Sequence, residues 1–294
     1  MSKYRSIVLS FLLLTCACVA TVSHPPISSQ TYMGPALPEG FSISKTSFSS
    51  TALPPQQTKR STADQRQLIE TTFKTLQQQN ADLCKALLGH TNLQDCIWMH
   101  LKGHNLPTLN SYAWNDLYIN VTSDLISYVE NEEEMAFVLA NEMAHLLAEH
   151  VTENLPLVTT SFNFKTDLPM LALCGFCVLN TSKTLNYSET VQSQNALLAE
   201  ITDNFYSEEQ EKEADYIAAY LIVRSGYDLE KSLNFLRKLI VLNPKSGHKL
   251  KTQAQYFDTH SLFPGRLDYF TLYRKEINEK TEKNLPLIPT QDSQ

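Results

Sequence analysis

The chain has 294 residues, 43% of them hydrophobic and 19% charged, with a formal net charge of −7. That supplies apolar material for one medium-sized catalytic domain with appendages, and too few charges for a wholly disordered chain. The acidic balance, with no basic run in the sequence, argues against a nucleic-acid partner, whose phosphates demand a basic surface.

Lys3 and Arg5 open the chain, and residues 7–14 form a short apolar stretch followed by small residues. The stretch is too short to span a bilayer alone, so residues 1–23 read as an export leader cleaved after Ala20 or Ser23. Cys16 and Cys18 leave a second reading open, a lipoprotein leader whose cysteine is acylated; an uncleaved anchor is a third. The expected location is outside the cytoplasm, periplasmic or secreted, with membrane association through a lipid anchor under the second reading. Cys84, Cys96, Cys174 and Cys177 would remain, and an even count in an exported chain suggests disulfides. Cys84 with Cys96 is the first expected bridge and Cys174 with Cys177 the second; the alternative is that all four are small buried hydrophobes.

Residues 24–62 are rich in Pro, Ser and Thr without periodicity, which reads as a disordered linker. From residue 63, Leu68, Ile69, Phe73, Leu76, Leu83 and Leu87 fall at three- and four-residue steps, a helical signal. Residues 95–102 suit a short strand. Leu117, Ile119 and Val121 alternate with polar neighbours and suit a second, the two forming a small sheet edge that lines a cleft. Residues 132–152 predict a long helix with Glu132, Glu133 and Glu134 at its positive end. The apolar run 168–179 reads as a buried helix or an interfacial segment. A helix over 208–225 stops at Gly226, another capped by Asp228 runs to about residue 242, and a last one covers 264–279. Residues 281–294, with Pro286 and Pro289, read as a flexible tail. The fold class is α+β and mostly helical.

Four patches carry chemistry. The first is Asn141-Glu142-x-x-His145-x-x-x-x-His150. In the zinc pattern His-Glu-x-x-His, positions i and i+4 share a helix face. Two imidazoles then reach one metal, and the glutamate at i+1 acts on water as general base. Here the first histidine position holds Asn141. The second patch, Glu211-x-Glu213-Ala214-Asp215, offers a carboxylate ligand from a separate helix. Asp215, on the same face, can accept a hydrogen bond from the outer nitrogen of a ligand histidine. The third is Asn110-Ser111-Tyr112-Ala113-Trp114 before a strand. The fourth is Thr259-His260, with Arg266 six residues on.

In this order and spacing, the patches resemble the zinc metallopeptidase family that includes HtpX, BepA and the CAAX prenyl protease (peptidase family M, number forty-eight). That family shows Asn-Ala-Phe/Tyr-Ala before a strand and then Glu-Leu-Ala-x-Val-Leu-Ala-His-Glu-x-x-His. Here residues 134–145 read Glu-Met-Ala-Phe-Val-Leu-Ala-Asn-Glu-Met-Ala-His. Later it shows Glu-x-Glu-Ala-Asp, an Ala-Gly-Tyr-Asp stretch matched by Ser225-Gly226-Tyr227-Asp228, and Thr-His-Pro matched by Thr259-His260-Ser261. The resemblance implies a gluzincin-type domain over residues 63–280, with a small β-sheet beside the active-site helix and one Zn²⁺ per chain. It implies His145 and Glu211 as metal ligands with Asn141 in the first ligand position, Glu142 as base and Asp215 behind the ligands. His260 or Arg266 would stabilise the oxyanion. Asn110, Leu117 and Ile119 would line an extended polypeptide substrate added to the sheet edge. The implied activity is endopeptidase action on envelope or misfolded proteins.

Asn141 is the departure. A carboxamide oxygen is a weaker zinc donor than imidazole. A zinc site worth roughly 10–16 kcal/mol over four ligands would lose about 3 kcal/mol, or about a hundredfold, with one of them. His150 is a poor substitute, since nine residues along a helix is about 180° from Asn141. His260 is a better one: if its segment folds over the cleft, His145, Glu211 and His260 hold the metal. The rival reading is a catalytically dead module that binds polypeptide. The retained Glu142, His145, Glu211 and Asp215 oppose it, because buried charges without a partner are costly.

Overall fold

Polar side chains at Ser61, Asn131, Ser207 and Asp228 cap the starts of helices. The computed structural model describes residues 32, 34–38, 60–87, 99–104, 109–114, 117–151, 153, 206–242, 256, 259–263 and 265–291. Helix α1 (Thr62–Gln79) opens on a capping box between Ser61 and Asp64 and buries Ile69, Phe73 and Leu76. Asn80 separates it from α2 (Ala81–Leu87). The Asn80 amide nitrogen donates to Leu76 O, Leu221 O and Ser225 Oγ, which pins this corner to the core. Cys84 in α2 is disulfide-bonded. Its expected partner Cys96 lies outside the described residues, as do Cys174, Cys177, the run 168–179 and the leader 1–23.

The sheet holds β1 (His100–His104), β2 (Ser111–Trp114) and β3 (Tyr118–Thr122), in the order β1-β3-β2. β3 runs parallel to β1 and antiparallel to β2. This corrects two expectations. The 111–114 segment is itself a strand and forms an edge, whereas the Ile119 strand lies in the middle with both sides taken. Leu117 belongs to the turn between β2 and β3, with φ 60. Alternation identifies a strand but carries no information about its neighbours.

After α3 (Ser123–Tyr128) comes the central helix α4 (Glu132–Leu147), capped by Asn131, whose side chain accepts from Glu134 N at 2.9 Å. Every residue from Glu134 to Leu147 is buried, as expected of a helix surrounded by other elements. Phe137 meets Phe235 and Phe270 on one side. Glu134 is buried too, and pairs with Lys238 Nζ at 2.6 Å. The helix stops at Leu147 instead of continuing to residue 152, and Glu149 takes a left-handed conformation at φ 59. Helix α5 (Glu208–Arg224) starts on a Ser207–Gln210 capping box and packs against α4. Then follow α6 (Leu229–Ser232), α7 (Asn234–Leu242) and α8 (Arg266–Glu282).

The two ends of the described chain are docked. Thr290 N donates to Tyr216 Oη at 2.8 Å, and Arg224 donates to Leu287 O at 3.2 Å, so the expected flexible tail is held through this stretch. These bonds join residues far apart in sequence, which proline content cannot report. Within the expected linker, Tyr32 is 8% exposed and Gly34, at φ 66, lies against the rings of Tyr216 and Tyr273. The architecture is the mostly helical α+β fold with a small sheet beside α4. No described helix is long and apolar enough to cross a membrane.

Candidate metal centre

Helix α4 contributes Asn141, Glu142 and His145; α5 contributes Glu211 and Asp215; β2 contributes Ser111; the 259–261 turn contributes His260; and α8 begins with Arg266. All eight are buried. The ligand atoms of His145, Glu211 and His260 lie within 4.8 Å of one another. His145 Nε2 is 3.7 Å from Glu211 Oε1, and His260 Nδ1 is 2.9 Å from the same oxygen. Glu142 Oε1 lies 3.2 Å from His260 Nε2 and accepts from Ser111 Oγ at 2.6 Å. Two tyrosines set the rings: Tyr206 stacks on His145 at 3.6 Å, and Tyr256 stacks on His260 at 4.4 Å.

These residues fit a divalent metal. Two imidazoles and a carboxylate are a zinc donor set with one position left open. Asn141 Oδ1, Glu142 Oε2 and His145 Nε2 are buried without a hydrogen-bond partner among the described residues. Each such atom costs about 1–3 kcal/mol unless something binds it. A cation between them would satisfy His145 Nε2 directly.

Electrostatics prepares the ligands unequally. Burial, reinforced by His150, His260 and Arg266, holds His145 well below the ordinary histidine range, so its ring is neutral and can ligate. Burial would also lower His260, but Glu142 and Glu211 outweigh it and raise the ring to about 10. Without metal, His260 is therefore a cation between two carboxylates. Burial would raise Glu211, but Arg266 and His260 overcome it and keep the carboxyl below its usual value. Burial pushes Asp215 up to about 6, with Arg266 opposing.

Several expected roles change. Arg266 is expected at the oxyanion, but each nitrogen of its guanidinium already has a partner. It pairs with Asp215 Oδ2 at 2.6 Å and Glu211 Oε2 at 2.7 Å and donates to Ser261 O at 2.9 Å. It balances buried charge. Among the described residues Asp215 accepts no hydrogen bond from a histidine; it accepts from Asn141 Nδ2 at 3.1 Å and from Arg266. The physical reason is that residue 141 has no ring, and its amide nitrogen takes the place of the ring N–H. Asn110 is expected against substrate, yet its backbone bonds Thr122 and its Oδ1 accepts from Thr259 Oγ1 at 3.1 Å. It ties the start of β2 to the His260 turn. Leu117 and Ile119 cannot extend the sheet, because β3 is central.

Ser111, His150, Glu213, Tyr206 and Tyr256 were not expected at the site. His150 Nδ1 lies 2.9 Å from His145 Nδ1, and His150 Nε2 lies 3.1 Å from Glu213 Oε2. Helical periodicity placed His150 away from Asn141. It holds only for a continuous helix, and α4 ends before it. Ser111 and Glu213 stood inside the quoted motifs, so their positions were visible but not their partners. The two tyrosines carry no sequence signal.

A family model described as peptidase family M48 matches residues 71–269, a stretch that begins in α1, ends in α8 and contains the eight residues above. Mitochondrial metalloendopeptidase OMA1 of Saccharomyces cerevisiae is 23% identical over 199 residues, covering 66% of this chain and 52% of that protein. The chain thus spans about half the length of the curated relative it matches.

Proposed function

The chain belongs to peptidase family M48, and from that premise we propose that it is a zinc-dependent endopeptidase whose metal is held by His145, Glu211 and His260. The carrying observation is the convergence of these three side chains beside Glu142. Peptidases of this family are zinc-dependent, and bound zinc would supply Lewis-acid polarisation of water and of the scissile carbonyl. Glu142 has the geometry of a general base. Ser111 and His260 fix its Oε1, and Oε2 is left to take a proton and pass it to the leaving amine. Asp215 and Arg266 hold Asn141 and Glu211 in place. An extended polypeptide would add to the outer edge of β2, the strand that carries Ser111. The substrates proposed are envelope or misfolded proteins met after export, with a lipid anchor as one means of membrane association.

The second reading is a polypeptide-binding module without catalysis, and Asn141 is the observation that favours it. Casein hydrolysis by the full chain with added Zn²⁺, run beside Glu142→Gln and Asn141→His, separates the two. Cleavage by the wild type that Glu142→Gln abolishes supports the peptidase. Cleavage gained only with Asn141→His supports the binding module.

A further inference from the structure

A buried relay leads from the candidate metal ligand His145 to the backbone of Tyr32. His145 Nδ1 faces His150 Nδ1 at 2.9 Å, and His150 Nε2 faces Glu213 Oε2 at 3.1 Å. The other oxygen of Glu213 accepts from Tyr32 N at 2.6 Å. All four residues are buried. Tyr32 lies upstream of the family-matched region, which begins at residue 71.

The direction of each hydrogen bond follows from the ends of the relay. A carboxylate only accepts, so His150 Nε2 carries the proton in its bond to Glu213. At the other end, His145 Nε2 has no hydrogen-bond partner among the described residues, so the proton of this ring is placed on Nδ1, which donates to His150 Nδ1. That leaves His145 Nε2 with its lone pair exposed, and this is the nitrogen aimed at Glu211 and lacking a hydrogen-bond partner. The opposite tautomer would leave His145 Nδ1 without a proton to donate across the 2.9 Å contact and would bury an Nε2–H with no hydrogen-bond partner among the described residues. Both features carry a cost in a buried site.

We propose that His150 and Glu213, anchored by the backbone N–H of Tyr32, are positioning residues that hold His145 as the Nδ1–H tautomer with Nε2 presented to the metal. This rests on the metal reading above. It adds that Tyr32, which the family match does not cover, is part of the support of the metal site. Partners of this kind behind a ligand histidine set its orientation and basicity.

The test uses the full chain labelled with [¹⁵N]histidine. Long-range proton–nitrogen correlation reads the His145 tautomer without metal, and competition with a chelating dye reads zinc affinity. Wild type is expected to show Nδ1–H. His150→Leu is expected to lose that preference and bind zinc about 10–100-fold more weakly. His150→Gln retains an acceptor and a donor, and should keep near wild-type affinity. Tyr32→Pro removes the amide donor while Tyr32→Phe retains it, so the pair reads the relay from its far end; only the proline variant should weaken zinc binding. An unchanged tautomer and zinc affinity in both His150→Leu and Tyr32→Pro overturns the proposal, as does a His150→Gln variant no better than His150→Leu. If the wild type takes up no zinc, the metal reading fails and the tautomer comparison alone decides the relay.

Discussion

Asn141 Nδ2 donates to Asp215 Oδ1 at 3.1 Å, and Asn141 Oδ1 is left buried without a hydrogen-bond partner among the described residues. The amide thus reproduces the outward half of a ligand histidine and offers a weak oxygen donor inward. Asn141→His should restore a strong donor while Asp215 keeps its hydrogen bond. Zinc should then bind more tightly by about 3 kcal/mol, close to a hundredfold. Zinc competition titration checks this; equal affinities would show that position 141 does not face the metal.

Glu142→Gln should leave zinc binding near wild type and reduce peptide-bond hydrolysis by about 10²–10⁴-fold, the range for removal of a general base. The amide can still accept from Ser111 Oγ, so fold and metal should persist. Steady-state cleavage of a quenched fluorescent peptide, with zinc content measured on the same samples, reads both. Full activity in the variant would remove Glu142 from the reaction.

His260 gives a pH dependence of defined sign. Burial alone would lower its pKa, but Glu142 and Glu211 raise it from 6.5 to about 10. The folded state therefore binds the extra proton between these values. The resulting stabilisation is fully present below pH 6.5 and is lost as pH rises through 10. In chelator, the protein should lose stability across this window by at most about 1.4 kcal/mol per pH unit. Urea unfolding at several pH values measures it, and His260→Gln should flatten the slope. Zinc must expel the same proton, so its affinity should rise over the same window. A wild-type slope equal to that of His260→Gln would contradict the assignment.

Much of this site was legible because it is local. Helices close to the spans of α4 and α5 were expected, Asp228 marked a helix start, and the motif spacing picked out Glu142, His145 and Glu211. What was not legible depends on contacts between distant segments or on backbone without a residue signature. Glu149 turns left-handed although it is neither Gly nor Asn, so nothing in the sequence announced that α4 would end and swing His150 back. The pairing of Arg266 with Asp215 spans 51 residues, and the placing of β3 between β1 and β2 is a property of the sheet. The docking of Gly34 and Thr290 on Tyr216 joins regions that composition marked as loose.

Gly34 carries its own prediction. Its φ of 66 is left-handed, and a Cβ there would come within 2.9 Å of the Tyr216 ring. Gly34→Ala should destabilise the fold by about 1–2 kcal/mol from backbone strain, with the ring clash adding to it. Urea unfolding measures the loss, and a variant as stable as wild type would mean the segment is not held as described.

The most direct test of the central claim is zinc titration of the full chain beside His145→Ala, Glu211→Ala and His260→Ala. The account predicts one zinc per wild-type chain, held in about the nanomolar range. It also predicts at least about tenfold weaker binding in each of the three variants. No saturable zinc binding by the wild type, or undiminished binding when His260 is removed, would contradict it.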